Sequence, residues 1–457
     1  MAEELIISIS GMRGIIGENL NASIAAEYGC AFGTFLKSDT DSSKKLAVAI
    51  GSDSRPSGMM ITAAVTAGLC SVGIDVIDLG IVTTPTVGVM LRHMNCAGGI
   101  VVTASHNPVE YNGIKLLLAD GIAPDSEKAA QIRQIYFDKK SQLVSSVDCG
   151  KASCCDDPDA VHIEKVLACV DAAAIAKHKY KVVLDSVNGA GARPAIKLLE
   201  KLGCQIVAIN SEPTGIFAHT PEPTEANLTG LCDDVKSNSA DMGFAQDPDA
   251  DRLAIVDENG KYIGEEYTLA LAAKYIYSHQ SGSAAANLSS SRMIDDIASV
   301  AGGKVFRTAV GEANVASAMV KNNCIIGGEG NGGLIDLRVG PVRDSLIAMA
   351  VVLQLASETG KTISQLVAEI PEYEMSKEKF AADKTQAQKI IELCKEEFAD
   401  SRIDTTDGCR FDFDDGWLHL RTSNTEPVMR LISEFKTGGT GKSYIDKVTG
   451  ILNKIMG

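Results

Sequence analysis

Residues Thr103 to Pro108 read Thr-Ala-Ser-His-Asn-Pro and follow the apolar run Ile100-Val101-Val102. A serine beside a histidine at the end of a strand is a presented nucleophile. Serine is a weak one unless helped, and Lys115, shortly downstream, is placed to shuttle its proton or stabilise charge. The competing reading is that Ser105 and Asn107 cap a helix or close an Asx turn before Pro108. The chain has no Gly-x-Ser-x-Gly elbow, which disfavours acyl transfer by a hydrolase triad.

Three other segments carry chemistry. Asp247, Asp249 and Asp251 alternate in Asp-Pro-Asp-Ala-Asp-Arg, so an extended or looped backbone lets three carboxylates converge on a hard cation such as magnesium, with Arg252 holding an anion beside it. Counting from Asp247 puts Glu258 at the last ligand position of an EF-hand, but Arg252 stands where that loop needs glycine and Leu253 to Val256 reads as a strand. A solvated acidic loop is the other alternative. Arg421 to Arg430 places hydroxyls at Thr422, Ser423 and Thr425 and an amide at Asn424 between two arginines, a donor set suited to a phosphate dianion. Without those arginines it would read as an ordinary strand connection broken at Pro427. Gly327 to Gly333 is glycine-rich around Glu329 and Asn331. It matches neither a nucleotide P-loop nor a Rossmann fingerprint, and serves equally as a site for sugar hydroxyls or as a tight structural turn.

These segments need elements to position them. At 457 residues the chain is long enough for about three domains, or four small ones. Apolar residues at 45% and charged ones at 22% are ordinary for a folded globular protein. A net charge of −16 argues against nucleic acid or an anionic membrane as the main partner; an anionic substrate would need local cations such as Arg13, Arg252, Arg421 and Arg430. The 12 cysteines are scattered without metal-ligand spacing, and the start of the chain lacks a signal-peptide pattern, so a reducing cytoplasm is expected. The longest apolar stretch, near Leu346 to Ala356, is shorter than the roughly 20 residues that span a bilayer.

Lys45 to Asp53 and Tyr180 to Gly189 each run from an apolar strand through a turn into a helical pattern, and Ala284 to Arg292 echoes them. The rhythm predicts three related α/β domains with mixed sheets. Arg410 to Leu420 alternates around Asp415-Gly416, a hairpin signal. A strand over Val428 to Phe435 and a helix from about Ser443 to Met456 complete a C-terminal α+β domain, with the polar stretch around Pro371 to Ser376 as its linker.

Taken in order, Ser10-Gly-Met-Arg-Gly14, Thr103 to Pro108, Asp247 to Arg252, Gly328 to Gly333 and Arg421 to Pro427 resemble the α-D-phosphohexomutases, and the resemblance spans nearly the whole chain. It implies four domains, 1–155, 156–257, 258–370 and 371–457, around a central cleft. It implies a phosphoserine at Ser105 that passes its phosphoryl group to a sugar monophosphate, giving a sugar 1,6-bisphosphate that reorients and returns the other group. Magnesium would sit between Ser105, Asp247, Asp249 and Asp251. Lys115 would be the general acid/base with Arg13 and His106 in support, while Arg252, Glu329, Asn331, Arg421, Ser423, Asn424, Thr425 and Arg430 bind the phosphosugar. A monomer or homodimer without nucleic-acid or membrane partners is expected.

Departures leave the sugar open. The loop ends Asn331-Gly332-Gly333 where many members have Ser-Gly-His, Glu312 stands where some have histidine, and Asn424 replaces a usual glycine. These variants point to a glucosamine phosphate, with glucose or mannose phosphate as the alternative. A noncatalytic phosphosugar-binding protein and a calcium-binding module are the competing classes.

Overall fold

The computed structural model describes residues 5–9, 11–40, 45–422 and 428–456. The apolar run ending at Val102 lies inside a seven-stranded mixed sheet, ordered Ile6–Ser8, Gly11–Ile15, Tyr111–Leu118, Gly98–Val102, Ala47–Ser52, Asp75–Ile81 and Ala152–Cys154. Side chains alternate as a pleated strand requires. Val48, Ile50, Ile100 and Val102 pack with Phe32 and Ile61 of the helices Ala22–Asp39 and Gly58–Ser71 on one face. Ala49 and Val101 meet Val87 and Leu91 of the helix Thr84–His93 on the other. Both faces are covered, which is why these strands read as near-continuous apolar runs.

The second sheet runs Leu253–Val256, Met242–Gln246, Lys181–Asp185, Gln205–Ile209, and the third runs Val305–Thr308, Ala284–Asn287, Ile326–Glu329, Gly333–Ile335. In both, three parallel strands are followed by a fourth that turns back antiparallel onto the third. The first domain contains the same unit, Ala47–Ser52, Asp75–Ile81 and Gly98–Val102 with Tyr111–Leu118 returning. The expected relation among three domains is therefore topological. The turn between the third and fourth strands carries Ser105 in the first domain, the three aspartates in the second and the Glu329 segment in the third.

The glycine-rich segment is a tight turn, not a long flexible loop: Glu329 pairs with Gly333, and Gly332 adopts φ 86, a left-handed conformation that favours glycine.

The C-terminal domain is a five-stranded antiparallel sheet, ordered Tyr373–Ala381, Val428–Lys436, Gly416–Thr422, Cys409–Asp412, Arg402–Asp404, covered by the helices Lys384–Glu397 and Gly441–Met456. The hairpin and closing helix fall where the sequence places them. The linker does not. Tyr373 to Ser376 opens an edge strand that pairs along its whole length with Val428–Lys436, and the charged side chains that make it look like a linker are those an exposed sheet edge carries.

The cores divide unevenly. The helix Ser345–Thr359 is buried at every residue from Ser345 to Ala356, as a helix apolar all round must be. It joins Val182, Leu184 and Phe244 of the second domain to Ala284, Ala286 and Ile326 of the third in one cluster. The C-terminal domain keeps its own core around Phe411, Leu418 and Leu431. No helix among the described residues is long and apolar enough to cross a membrane.

Candidate active site

Ser105 lies just past the strand Gly98–Val102, buried to 3% exposure, with φ 50. A non-glycine residue there costs on the order of 1–3 kcal/mol and must be held by its surroundings. The holder is Arg55. Its guanidinium donates to the carbonyls of Ser105 and Asn107, both at 2.7 Å, and to those of Pro108 and Tyr111. Asp53 fixes it in turn and accepts from Thr103, whose Oγ1 receives the Ser105 amide. Arg13 reaches the same segment through Asn107 Oδ1, 2.8 Å.

The Ser105 hydroxyl donates to Asp247 Oδ2 at 3.0 Å. Asp247, Asp249 and Asp251 are fully buried and each offers one oxygen, all within 4.8 Å of one another. Asp249 Oδ1 and Asp251 Oδ1 have no hydrogen-bond donor. Buried, unpartnered carboxylate oxygens are costly unless a cation meets them, and an all-oxygen donor set suits a hard divalent ion; the residues fit magnesium.

The hairpin register returns Lys115 beside Val101, and its Nζ meets Asp249 Oδ2 at 2.6 Å and Asp251 Oδ2 at 3.5 Å. Burial works against its charge, but the two carboxylates outweigh burial and hold the ammonium above its ordinary range. Burial, with Asp251 and Asp249 crowding it, pushes Asp247 well up. Burial opposes ionisation of Asp249 too, yet Lys115 and the Thr84 hydroxyl keep it below the usual carboxylate range. One divalent charge would relieve this conflict.

His106 Nδ1 lies 3.3 Å from Ser105 Oγ. Although 31% of its side chain is exposed, burial and the neighbouring Arg252 and Arg13 push it down to about 3, so it works as a neutral imidazole. Arg252 Nε is buried without an acceptor, 4.0 Å from Asp247 and 3.8 Å from Asp251, a guanidinium held at the aspartate cluster. Glu222 lies near both, 3.9 Å from His106 and 3.8 Å from Arg252.

Glu329 ends its strand with both oxygens engaged, Oε1 by Asn287 and the Gly311 amide and Oε2 by Arg343. Asn331 Oδ1 is buried without a donor. In the C-terminal sheet Arg421 and Arg430 face each other across paired strands, and each has a buried Nε without an acceptor. Like charges opposed on neighbouring strands repel, and Arg421 has one carboxylate nearby, Asp407 Oδ2 at 3.5 Å from its Nε. Ser423, Asn424 and Thr425, between those strands, lie outside the described residues, as does Ser10.

Four family models match in order. The α/β/α domains I, II and III of phosphoglucomutase/phosphomannomutase match residues 5–143, 160–260 and 264–373, and the C-terminal domain of the same proteins matches 373–450. The chain belongs to this family. A "Phosphoglucomutase/phosphomannomutase" of Thermococcus kodakarensis is 40% identical over 443 residues, 95% of this chain and 96% of its own. A "Probable phosphoglucosamine mutase" of Methanopyrus kandleri is 35% identical over 97% of both. The crystal structure of a phosphoglucomutase/phosphomannomutase family protein from Burkholderia thailandensis superposes with a TM-score of 0.86 at 26% identity, covering 99% of this chain and 98% of that one.

Within this phosphohexomutase fold, the structure brings Ser105, His106, Lys115, Arg13, Arg252 and the three aspartates together. Sequence reasoning missed Arg55, Thr84 and Arg343. For Arg55 the available signal is Asp53-Ser-Arg55 directly after an apolar strand. Thr84 donates to Asp249 Oδ2 at 2.6 Å and carries no signal, since threonine at a helix start ordinarily caps. Glu258, the twelfth EF-hand position, turns away to Ser364, which removes the calcium-loop reading. A cavity of about 1000 Å³ between the third and fourth domains, lined by Arg292, Arg307, Arg410 and Tyr444 among others, contains none of the site residues.

Proposed function

We propose that this phosphohexose mutase interconverts the 1- and 6-phosphates of a hexosamine, with glucosamine phosphate the preferred sugar and glucose or mannose phosphate the alternative. The observation that carries the reading is the Ser105 hydroxyl donating to Asp247 Oδ2 at 3.0 Å, at the rim of three buried carboxylates. Phosphorylated Ser105 passes its phosphoryl group to a sugar hydroxyl; the bond from phosphorus to Oγ breaks as that to the sugar oxygen forms. The 1,6-bisphosphate then turns and returns its other group to Ser105.

Asp247, Asp249 and Asp251 would hold a magnesium ion, which neutralises charge on the transferring group. Lys115, kept protonated beside Asp249, gives its proton to the departing serine oxygen and takes up the one that the attacking sugar hydroxyl loses, and the exchange runs in reverse on return. Arg13 and neutral His106 hold the serine segment. Arg252 meets the anion beside it, Glu329 and Asn331 read sugar hydroxyls, and Arg421 and Arg430, with Ser423, Asn424 and Thr425, take the phosphate that is not reacting. The order of domains, 1–155, 156–257, 258–370 and 371–457, gives each of these groups to one domain. Support for the amino sugar comes from relatives such as that of Methanopyrus kandleri, named for glucosamine.

Phosphorus NMR of the protein with magnesium and a trace of sugar bisphosphate tests the reading. Glucosamine 6-phosphate, glucose 1-phosphate and mannose 1-phosphate are offered in parallel. Selective conversion of the amino sugar is expected; faster conversion of glucose or mannose phosphate reassigns the sugar, and conversion of none removes the mutase reading.

A further inference from the structure

Arg343 precedes the buried helix Ser345–Thr359 and is itself 7% exposed. Its guanidinium fork divides between two of the site turns. Nη2 donates to Asp251 Oδ2 at 2.5 Å and Nη1 to Glu329 Oε2 at 2.6 Å. Its backbone amide donates to Glu312 Oε1 at 2.6 Å, and its Nε, 3.8 Å from Glu312 Oε2, is buried without an acceptor. One cation thus joins a carboxylate of the aspartate cluster to a carboxylate of the third domain's turn. Planar, two-pronged recognition of this kind belongs to arginine and not to lysine.

The side chain reaches this position through space that Gly333 leaves. A Cβ at 333 would fall on the Arg343 stem, its nearest neighbours being Cδ and Cγ. The bare residue at 333 and the arginine at 343 are therefore two halves of one steric arrangement, and any side chain at 333 would displace the fork. The next residues tie the same helix start to the aspartate turn, since the Ser345 hydroxyl donates to the Ala250 carbonyl at 2.7 Å.

We propose that Arg343 is a positioning residue that couples the two halves of the site: by sharing its fork between Asp251 and Glu329, it makes divalent-cation binding and sugar-phosphate binding strengthen each other. The proposal rests on the mutase reading for the sugar phosphate as ligand, but not on turnover. When a cation draws on Asp251, the fork is released toward Glu329 and the sugar beside it, and coupling between two sites is reciprocal.

Calorimetry of the unphosphorylated chain with Mg²⁺ and glucosamine 6-phosphate, each titrated with and without the other, tests this. In the native protein Mg²⁺ should tighten the sugar phosphate at least about fivefold, the lower end of ordinary coupling between sites. In Arg343→Met and Arg343→Lys the factor should fall below about twofold, and Gly333→Ala should reproduce the effect with Arg343 still present. A native protein without coupling, a folded Arg343→Met that keeps it, or a loss confined to melting temperature would each overturn the proposal. Should Arg343→Met fail to fold, Arg343→Lys and Gly333→Ala decide the matter by the same factor. If coupling is lost in the variants while the native protein converts no hexose phosphate, the mutase reading fails and this inference stands.

Discussion

Ser105 combines a strained backbone with a hydroxyl aimed at a carboxylate, and the two properties separate by substitution. Ser105→Ala and Ser105→Gly should both lose turnover. The glycine variant should be the more stable by roughly 0.5–1 kcal/mol, because it relieves the left-handed conformation at a smaller entropic cost; equal melting temperatures would mean the segment carries no strain. For the carboxylates the measurable quantity is cation linkage. Mg²⁺ at a hundred times its dissociation constant should stabilise the protein by about 2.7 kcal/mol, and a chelator should reverse this. Asp249→Asn should remove most of the Mg²⁺ stabilisation and most of the activity. An undiminished Mg²⁺ shift in that variant would place the ion elsewhere. At the phosphate end, Arg421→Ala and Arg430→Ala should each raise KM by roughly 10–100-fold, the worth of about 1.5–3 kcal/mol for a charge-assisted hydrogen bond, with kcat less affected.

The recurring element is a hairpin turn that follows three parallel strands, used three times with different cargo. Its strands were legible because burial on both faces forces continuous apolar runs, as at Ile100 to Val102 and Leu253 to Val256. Its chemistry was legible only from the segments taken together in order, because serine, aspartate and glycine are each ordinary turn residues. The supports were not legible. Arg55 and Arg343 act across 50 and 92 residues of separation, on Ser105 and Asp251, and no local periodicity records such pairs. The edge strand Tyr373–Ala381 was mistaken for a linker because its charges reflect solvent on one face and not the absence of pairing. His419, fully buried on the strand Gly416–Thr422, shows how the last domain is latched. Its Nε2 meets the Asp407 carbonyl at 2.6 Å and its Nδ1 the Ser289 hydroxyl at 2.9 Å, so the neutral ring satisfies both. Burial, opposed by Asp407, pushes it down to about 4. The unfolded chain takes up a proton below its ordinary value of about 6.5 while the folded ring does not. Stability from this residue is therefore complete above about pH 6.5 and is lost toward pH 4, at ~1.4 kcal/mol per pH unit. His419→Gln should flatten that part of the stability profile, and an unchanged slope would show that the ring titrates freely.

At the scale of the molecule, the second and third domains are distinct by topology and joined by packing. Val182 and Leu184 share a cluster with Ala284, Ile326 and the helix Ser345–Thr359, whereas the C-terminal domain meets the third through polar contacts such as the Arg292 amide on Glu434 and Arg410 on the Leu288 carbonyl. Hydrogen exchange should show residues 182–184 and 284–287 opening with one free energy, with the C-terminal sheet opening at another. Ile347→Ala should cost about 2–5 kcal/mol and lower protection in both middle domains alike; protection falling in only one would mean that each has its own core. The shared helix also sets a timetable for synthesis. The second domain's last strand ends at Val256, yet the helix that seals its core is complete only about a hundred residues later. At roughly 5–20 residues per second on the ribosome, a finished sheet and its earlier helices wait on the order of 5–20 s without the helix that completes their core, so the nascent chain passes through a stage in which the half-built centre of the enzyme presents apolar surface to whatever holds such surfaces in the cell.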